Sequence, residues 1–204
     1  MFEINNKEVE TYTIKQQEFH IIKDFYKYPD QIVEYITSVE PVWHRHAPGF
    51  FHQGIDFEDK RHYLYTEDIE PVYNFLETIT KQRTCDTEGL YKKNLVSTNY
   101  TKFLNNKFQN KLFHPHTDSG KTALVYLNKG KSKGTNFYEY VNFQVGTEHK
   151  EHFYPKNQAK VLHHIESEYN KLIIWNGALQ YHGMCMDKKW LDEWRINQVF
   201  FFQQ

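Results

Sequence analysis

The sequence predicts an α+β fold, with helices near the N-terminus packed on one side of a β-sandwich or barrel. Three observations predict it. Helical periodicity is confined to two segments in the first 83 residues. Past residue 90, short runs rich in β-branched and aromatic residues alternate with turns. The apolar set is dominated by 15 tyrosines and 16 phenylalanines, which suits pleated sheet better than a helical bundle.

Taken in order, "EFHIIKDFY" (18–26) reads as a strand that ends at a polar turn. "YPDQIVEYITSV" (28–39) reads as a helix, with Asp30 as cap and Ile32, Val33, Ile36 and Val39 at helical spacing. Residues 41–67 contain Pro48-Gly49 and scattered aromatics, which predicts a loop with short strands. "DIEPVYNFLETITKQR" (68–83) carries the strongest helical signal: Glu70-Pro71 opens it, and Val72, Phe75, Leu76 and Ile79 form one stripe. Strands are then predicted at 95–104, 121–128, 135–141, 171–176 and 194–203. The segment 148–170 has no clear period and is expected to be a loop carrying a short helix.

Bulk properties narrow the function. The 204 residues suit one domain with a real core. With 25 basic against 26 acidic side chains, a protein built mainly to grip phosphates is disfavoured. Two cysteines, Cys85 and Cys185, make no disulfide framework and fit a reducing compartment. "MFEINNKEVE" has no apolar run, so no signal peptide is expected. No stretch approaches the ~18 apolar residues of a membrane span. A soluble, cytoplasmic protein is expected.

The chemistry concentrates in "HPHTDSG" (114–120), where His114, His116 and Asp118 occupy alternate positions. Two residues of strand span about 6.6 Å, so His116 and Asp118 can converge on one ion. His182, in "LQYHGM" after the Asn176-Gly177 turn, supplies a third donor. Two histidines and one carboxylate form the facial set of non-haem iron(II) oxygenases, which leaves coordination positions open. Arg195 lies 13 residues past His182 and shares a strand face with Asn197. An inward arginine on a strand otherwise reading Ile, Val, Phe, Phe, Phe needs a buried anion.

With these residues in place, the sequence resembles the 2-oxoglutarate- and Fe(II)-dependent oxygenases, especially their prolyl-hydroxylase-like branch. The resemblance runs through "HPHTDSGKTALVYLNKGKSKGTNFYEY" (114–140), "KLIIWNGALQYHG" (171–183) and "WRINQVFFF" (194–202). It implies a double-stranded β-helix, or jelly roll, in a single domain over 1–204. Residues 1–90 would be helical N-terminal support packed on the major sheet, and 91–204 the jelly-roll core. It implies His116, Asp118 and His182 as iron ligands and catalytic residues, and Arg195 as partner of the distal carboxylate of 2-oxoglutarate. Tyr126, before Leu127-Asn128, matches a tyrosine that holds that carboxylate in the animal prolyl hydroxylases. Asn197 matches the Arg-x-Asn arrangement of the nucleic-acid demethylating dioxygenases. The implied cofactors are Fe(II), 2-oxoglutarate as cosubstrate and O2, with ascorbate as an optional reductant.

Two features depart from the family's pattern. Gly134-Thr135 stands where many relatives have Gly-Gly, and the strand before His116 lacks the usual glycine turn, leaving Tyr100 as the candidate for a second cosubstrate tyrosine. The retained Asp118 favours hydroxylation or demethylation over halogenation. The expected substrate is a small molecule or protein side chain, with nucleic acid disfavoured by the balanced charge. No membrane partner is expected and the oligomeric state is left open. Two alternatives stand beside the dioxygenase: a non-catalytic jelly-roll binding module, and a cupin-like metalloenzyme without 2-oxoglutarate.

The other histidines read as bystanders. "WHRH" (43–46) has no matching ligand partner, and His163-His164 are adjacent, so on a strand they would face opposite ways. Cys185 reads as a small packing group. His114 reads as surplus to the metal set, about 6.6 Å along the strand from His116.

Overall fold

The chain, described by a computed structural model at residues 1–5, 8–39, 42–43, 50–52, 55–85, 94–113, 115–141 and 153–203, is mostly antiparallel sheet with few helices. A hairpin opens it, β1 (Glu10–Ile14) and β2 (Gln17–Ile22), followed by helix α1 (Pro29–Ser38). Next come β3 (Val42–Trp43), β4 (Phe50–His52), β5 (Ile55–Tyr65), helix α2 (Glu70–Thr80) and β6 (Arg83–Cys85). The later strands are β7 (Leu95–Phe103), β8 (Lys111–Phe113), β9 (Lys121–Tyr126), β10 (Lys131–Val141) and β11 (Phe153–Pro155). Then follow β12 (Ala159–Glu168), β13 (Leu172–Asn176), β14 (Tyr181–Met184) and β15 (Arg195–Gln203).

The major sheet runs β1-β2-β13-β9-β15-β7-β5-β3, with β4 added on β5 and β6 on β15. A second sheet runs β12-β10-β14, and β11 pairs β8. Period-2 alternation sorts the major sheet's side chains into two cores. Ala123, Val125, Leu172, Ile174, Phe200 and Phe202 point one way, into a cluster shared with Ile32 and Ile36 of α1 and Val72, Tyr73 and Leu76 of α2. Leu124, Tyr126, Ile173, Trp175 and Val199 point the other way, against Phe137 of β10 and Ile165 of β12. Helices therefore cover one face of the major sheet and the second sheet covers the other, an arrangement consistent with a jelly roll. Phe137 is fully buried, with ring centroids 4.8 Å from Phe19 and 5.5 Å from Trp175. Its truncation to alanine should cost about 3–5 kcal/mol.

Helix boundaries follow local chemistry. Pro29 opens α1, where its fixed φ is compatible with helix and its missing N–H costs nothing. Asp30 sits in the first turn but does not cap; its carboxylate accepts from Lys129 and Tyr169 instead. The predicted stripe of α2 is present, with Val72 and Leu76 fully buried and Phe75 and Ile79 packed beside them. Lys81 ends α2 in the left-handed region at φ 57°.

Three expectations need correction. The segment 41–67 contains an eleven-residue strand, β5, rather than only short ones. Its polar residues alternate onto a partly buried face, which hides the apolar period. Within 148–170, residues 159–168 form β12, not a loop with a helix; only a single 3-10 turn, Lys156–Gln158, precedes it. The first 90 residues are not only helical: β1 to β6 all join the major sheet. The β1–β2 turn places Lys15 and Gln16 at φ 46° and 66° with no glycine or asparagine to mark it. Among the described residues, no helix is long and apolar enough to cross a membrane.

Candidate metal and anion site

His116, Asp118 and His182 meet between the two sheets. One ligand atom from each lies within 4.8 Å of the others. His182 Nε2 is 3.2 Å from Asp118 Oδ2, and His116 Nε2 is 3.7 Å from Asp118 Oδ1. Backbone pairing creates the convergence. His116 and His182 exchange N–H···O bonds of 2.9 Å each, and Asp118 N–H donates to Gly177 O at 2.9 Å. The sequence segments around 116 and 182 are thus clamped before any side chain acts.

Neighbouring groups orient the donors. His182 Nδ1 lies 3.0 Å from the Gln180 carbonyl oxygen, which accepts when that nitrogen carries the proton and leaves Nε2 with a free lone pair. The Trp175 ring meets the His182 ring edge-on at 4.8 Å. The Thr122 hydroxyl donates to Asp118 Oδ2. Burial alone would raise the Asp118 carboxyl, but His182 beside it, His116 and the Thr122 hydrogen bond outweigh this and hold it well below the usual carboxylate range. It is therefore ionised and ready to bind a cation. Among the described residues this is the one cluster with metal-ligand geometry, and Cys185 is not part of it.

A polar lattice lies on the inter-sheet face of the major sheet. Tyr126, Asn197, Asn99 and Arg61 stand opposite one another across β9, β15, β7 and β5. Arg195, Thr101 and Asp59 form the next row. Arg195 is buried at 7% exposure, donates through Nη1 to Asn197 Oδ1, and has no acceptor for Nε among the described residues. Burial pushes its guanidinium pKa down, against the opposing influence of Tyr126, Asp59 and Cys185. Tyr126 Oη lies 2.7 Å from Thr135 Oγ1, and burial pushes its phenol up to about 12. A buried cation beside a neutral phenol and amide can accept an anion.

The structure thus brings together His116, Asp118 and His182, and separately Arg195, Asn197 and Tyr126, both between the two sheets. Tyr100 is a different case. It points to the helix face, where Oη donates to Ile36 O at 3.1 Å, so it cannot serve as the second cosubstrate tyrosine. His114, His44 and His46 lie outside the described residues. His163 and His164 are on β12 and face opposite ways: His163 meets Tyr12 Oη at 3.0 Å and His164 meets Asn136 Oδ1 at 2.8 Å. Sequence reasoning missed Gly177, Thr122 and the polar face of β5. The alternation Phe57, Asp59, Arg61, Tyr63 was the available signal for the last.

No protein-family profile matches the chain, and no curated protein matches it. Among solved structures it is similar to a Pseudomonas putida prolyl-4-hydroxylase, with a TM-score of 0.48 and 10% identity over 91% of this chain and 92% of that one. It is also similar to a candidate oxygenase from Shewanella oneidensis, with a TM-score of 0.47 and 10% identity over 90% of this chain and 81% of that one. The functional reading rests on the geometry of the chain's own residues.

Proposed function

We propose that this chain is a non-haem Fe(II)- and 2-oxoglutarate-dependent dioxygenase, of hydroxylating or demethylating type, formed as one domain over residues 1–204. The observation that carries the reading is the pairing of two features in one interior. A two-histidine, one-carboxylate cluster lies between the two sheets, and the inter-sheet face of the major sheet carries a buried arginine whose Nε has no acceptor among the described residues. The donor set fits the metal: it is mixed nitrogen and oxygen, and among the described residues it has three members, where a structural zinc site would be closed by four ligands.

Bound iron would supply the dioxygen chemistry that side chains lack. The protein's part is otherwise positional. His116, Asp118 and His182 hold the ion, and the Gln180 carbonyl fixes the His182 tautomer. Arg195, with Asn197 and Tyr126, takes the distal carboxylate of 2-oxoglutarate. Leu124 and Val199, the next inward-facing pair along β9 and β15 from Tyr126 and Asn197, are apolar and buried and would keep water from the reacting atoms. Cys85 and Cys185 form no disulfide, which supports a reducing cytoplasmic setting.

Calorimetry tests the assignment. Mn(II)-loaded protein should bind 2-oxoglutarate and N-oxalylglycine, and Arg195→Gln should weaken both by about 30-fold or more, as expected for loss of a buried charged pair. Metal-loaded protein that binds neither ligand contradicts it.

A further inference from the structure

Arg61 is a second cation on the wall that carries Arg195, and 2-oxoglutarate has no carboxylate left for it. Phe57, Asp59, Arg61 and Tyr63 share one face of β5. Phe57 and Phe103 belong to one core cluster there, and Thr101 donates to Asp59 Oδ1 at 3.1 Å. Arg61 stands opposite Asn99, and Asn99 opposite Asn197, which accepts from Arg195. Two strand spacings, about 9.6 Å, separate the backbones of β5 and β15.

The guanidinium is aimed rather than loose. Arg61 Nε donates to Asn99 Oδ1 at 2.9 Å and Nη1 to Tyr63 Oη at 3.2 Å. Both acceptors are neutral, the residue is half-buried, and among the described residues no carboxylate pairs with it. Asp59, the nearest acid on its face, is turned to Thr101 and acts on Arg195. Of five N–H donors, two are used by described residues and three are not. A half-buried, oriented cation without a counter-ion is costly unless an anion arrives.

Counting carboxylates identifies that anion. The cosubstrate has two; one goes to the metal and one to Arg195. We infer that Arg61 binds a carboxylate of the substrate, so that the substrate is a small carboxylic acid, such as a free amino acid, held about two strands from the cosubstrate. The inference rests on the dioxygenase reading.

The test uses full-length protein loaded with Zn(II) and N-oxalylglycine. Free α-amino acids and short carboxylic acids, each paired with its carboxamide, are screened by thermal shift, and binding is quantified by calorimetry. At least one acid should bind while its amide does not. Arg61→Gln should weaken that acid about tenfold or more, and Arg61→Lys should restore part of it. The affinity for N-oxalylglycine alone should stay within about twofold of wild type in Arg61→Gln and collapse in Arg195→Gln. Acids and amides binding alike, no acid binding, or equal binding by Arg61→Gln overturns the role of Arg61. Collapse of N-oxalylglycine binding in Arg61→Gln also overturns it, by placing Arg61 on the cosubstrate. Wild-type protein that cannot bind N-oxalylglycine is a separate result, and it overturns the dioxygenase reading itself.

Discussion

Gly177 holds Asp118 in two ways: its carbonyl oxygen accepts the Asp118 N–H at 2.9 Å, and its missing side chain leaves room for the carboxylate. A Cβ there would sit 2.8 Å from Asp118 Oδ2 and 2.6 Å from Thr122 Oγ1. Gly177→Ala should therefore push the carboxylate off the ion and weaken Mn(II) binding about 10- to 100-fold, as changes behind a metal ligand do. Calorimetry on the folded variant checks this, and an unchanged affinity would mean that Asp118 is not a ligand.

Each of His116→Ala, Asp118→Ala and His182→Ala leaves two donors where three are needed. All three variants should lose metal by at least about 100-fold, read as bound metal per chain after dialysis. A variant that retains stoichiometric metal identifies a residue outside the set.

The two tyrosines separate position from residue type. Tyr126→Phe removes a hydroxyl beside Arg195 and Thr135, and N-oxalylglycine affinity should fall about 5- to 10-fold. Tyr100→Phe removes the bond to Ile36 O on the opposite face. It should cost about 1 kcal/mol of stability in urea unfolding and leave N-oxalylglycine affinity unchanged.

Burial lowers His20, His163 and His164 below the ordinary 6.5, most directly by desolvation. Their folded forms hold protons less well than the unfolded chain. Stability is then fully present above the unfolded value and is lost as pH falls through the lowered folded values. Urea midpoints should fall between about pH 7.5 and pH 5, and His163→Gln should flatten part of that slope.

Much of the candidate site was legible because its donors are polar residues at short, regular spacing. His116 and Asp118 are two apart, and Arg195 and Asn197 share a face, so local geometry was enough. Gly177 was not legible as a site residue, because its role depends on the approach of a chain segment some sixty positions earlier. The helices announced themselves through Pro29, Pro71 and their apolar stripes. The strands β5 and β12 did not: their inward faces carry Asp59, Arg61 and His163 among aromatic neighbours, so alternation in burial is not alternation in polarity. Tyr100 was misassigned for the same reason, since the face a strand residue takes depends on which neighbours it meets.

The central claim is that metal, 2-oxoglutarate and dioxygen meet at His116, Asp118 and His182. The most direct measurement is succinate formed from 2-oxoglutarate by the Fe(II)-loaded protein in air, with and without the candidate acids. Succinate should appear only when Fe(II), 2-oxoglutarate and O2 are all present, rise with a bound acid substrate, and vanish in Asp118→Ala. No succinate from wild type under any of these conditions, or an equal yield from Asp118→Ala, would contradict the account.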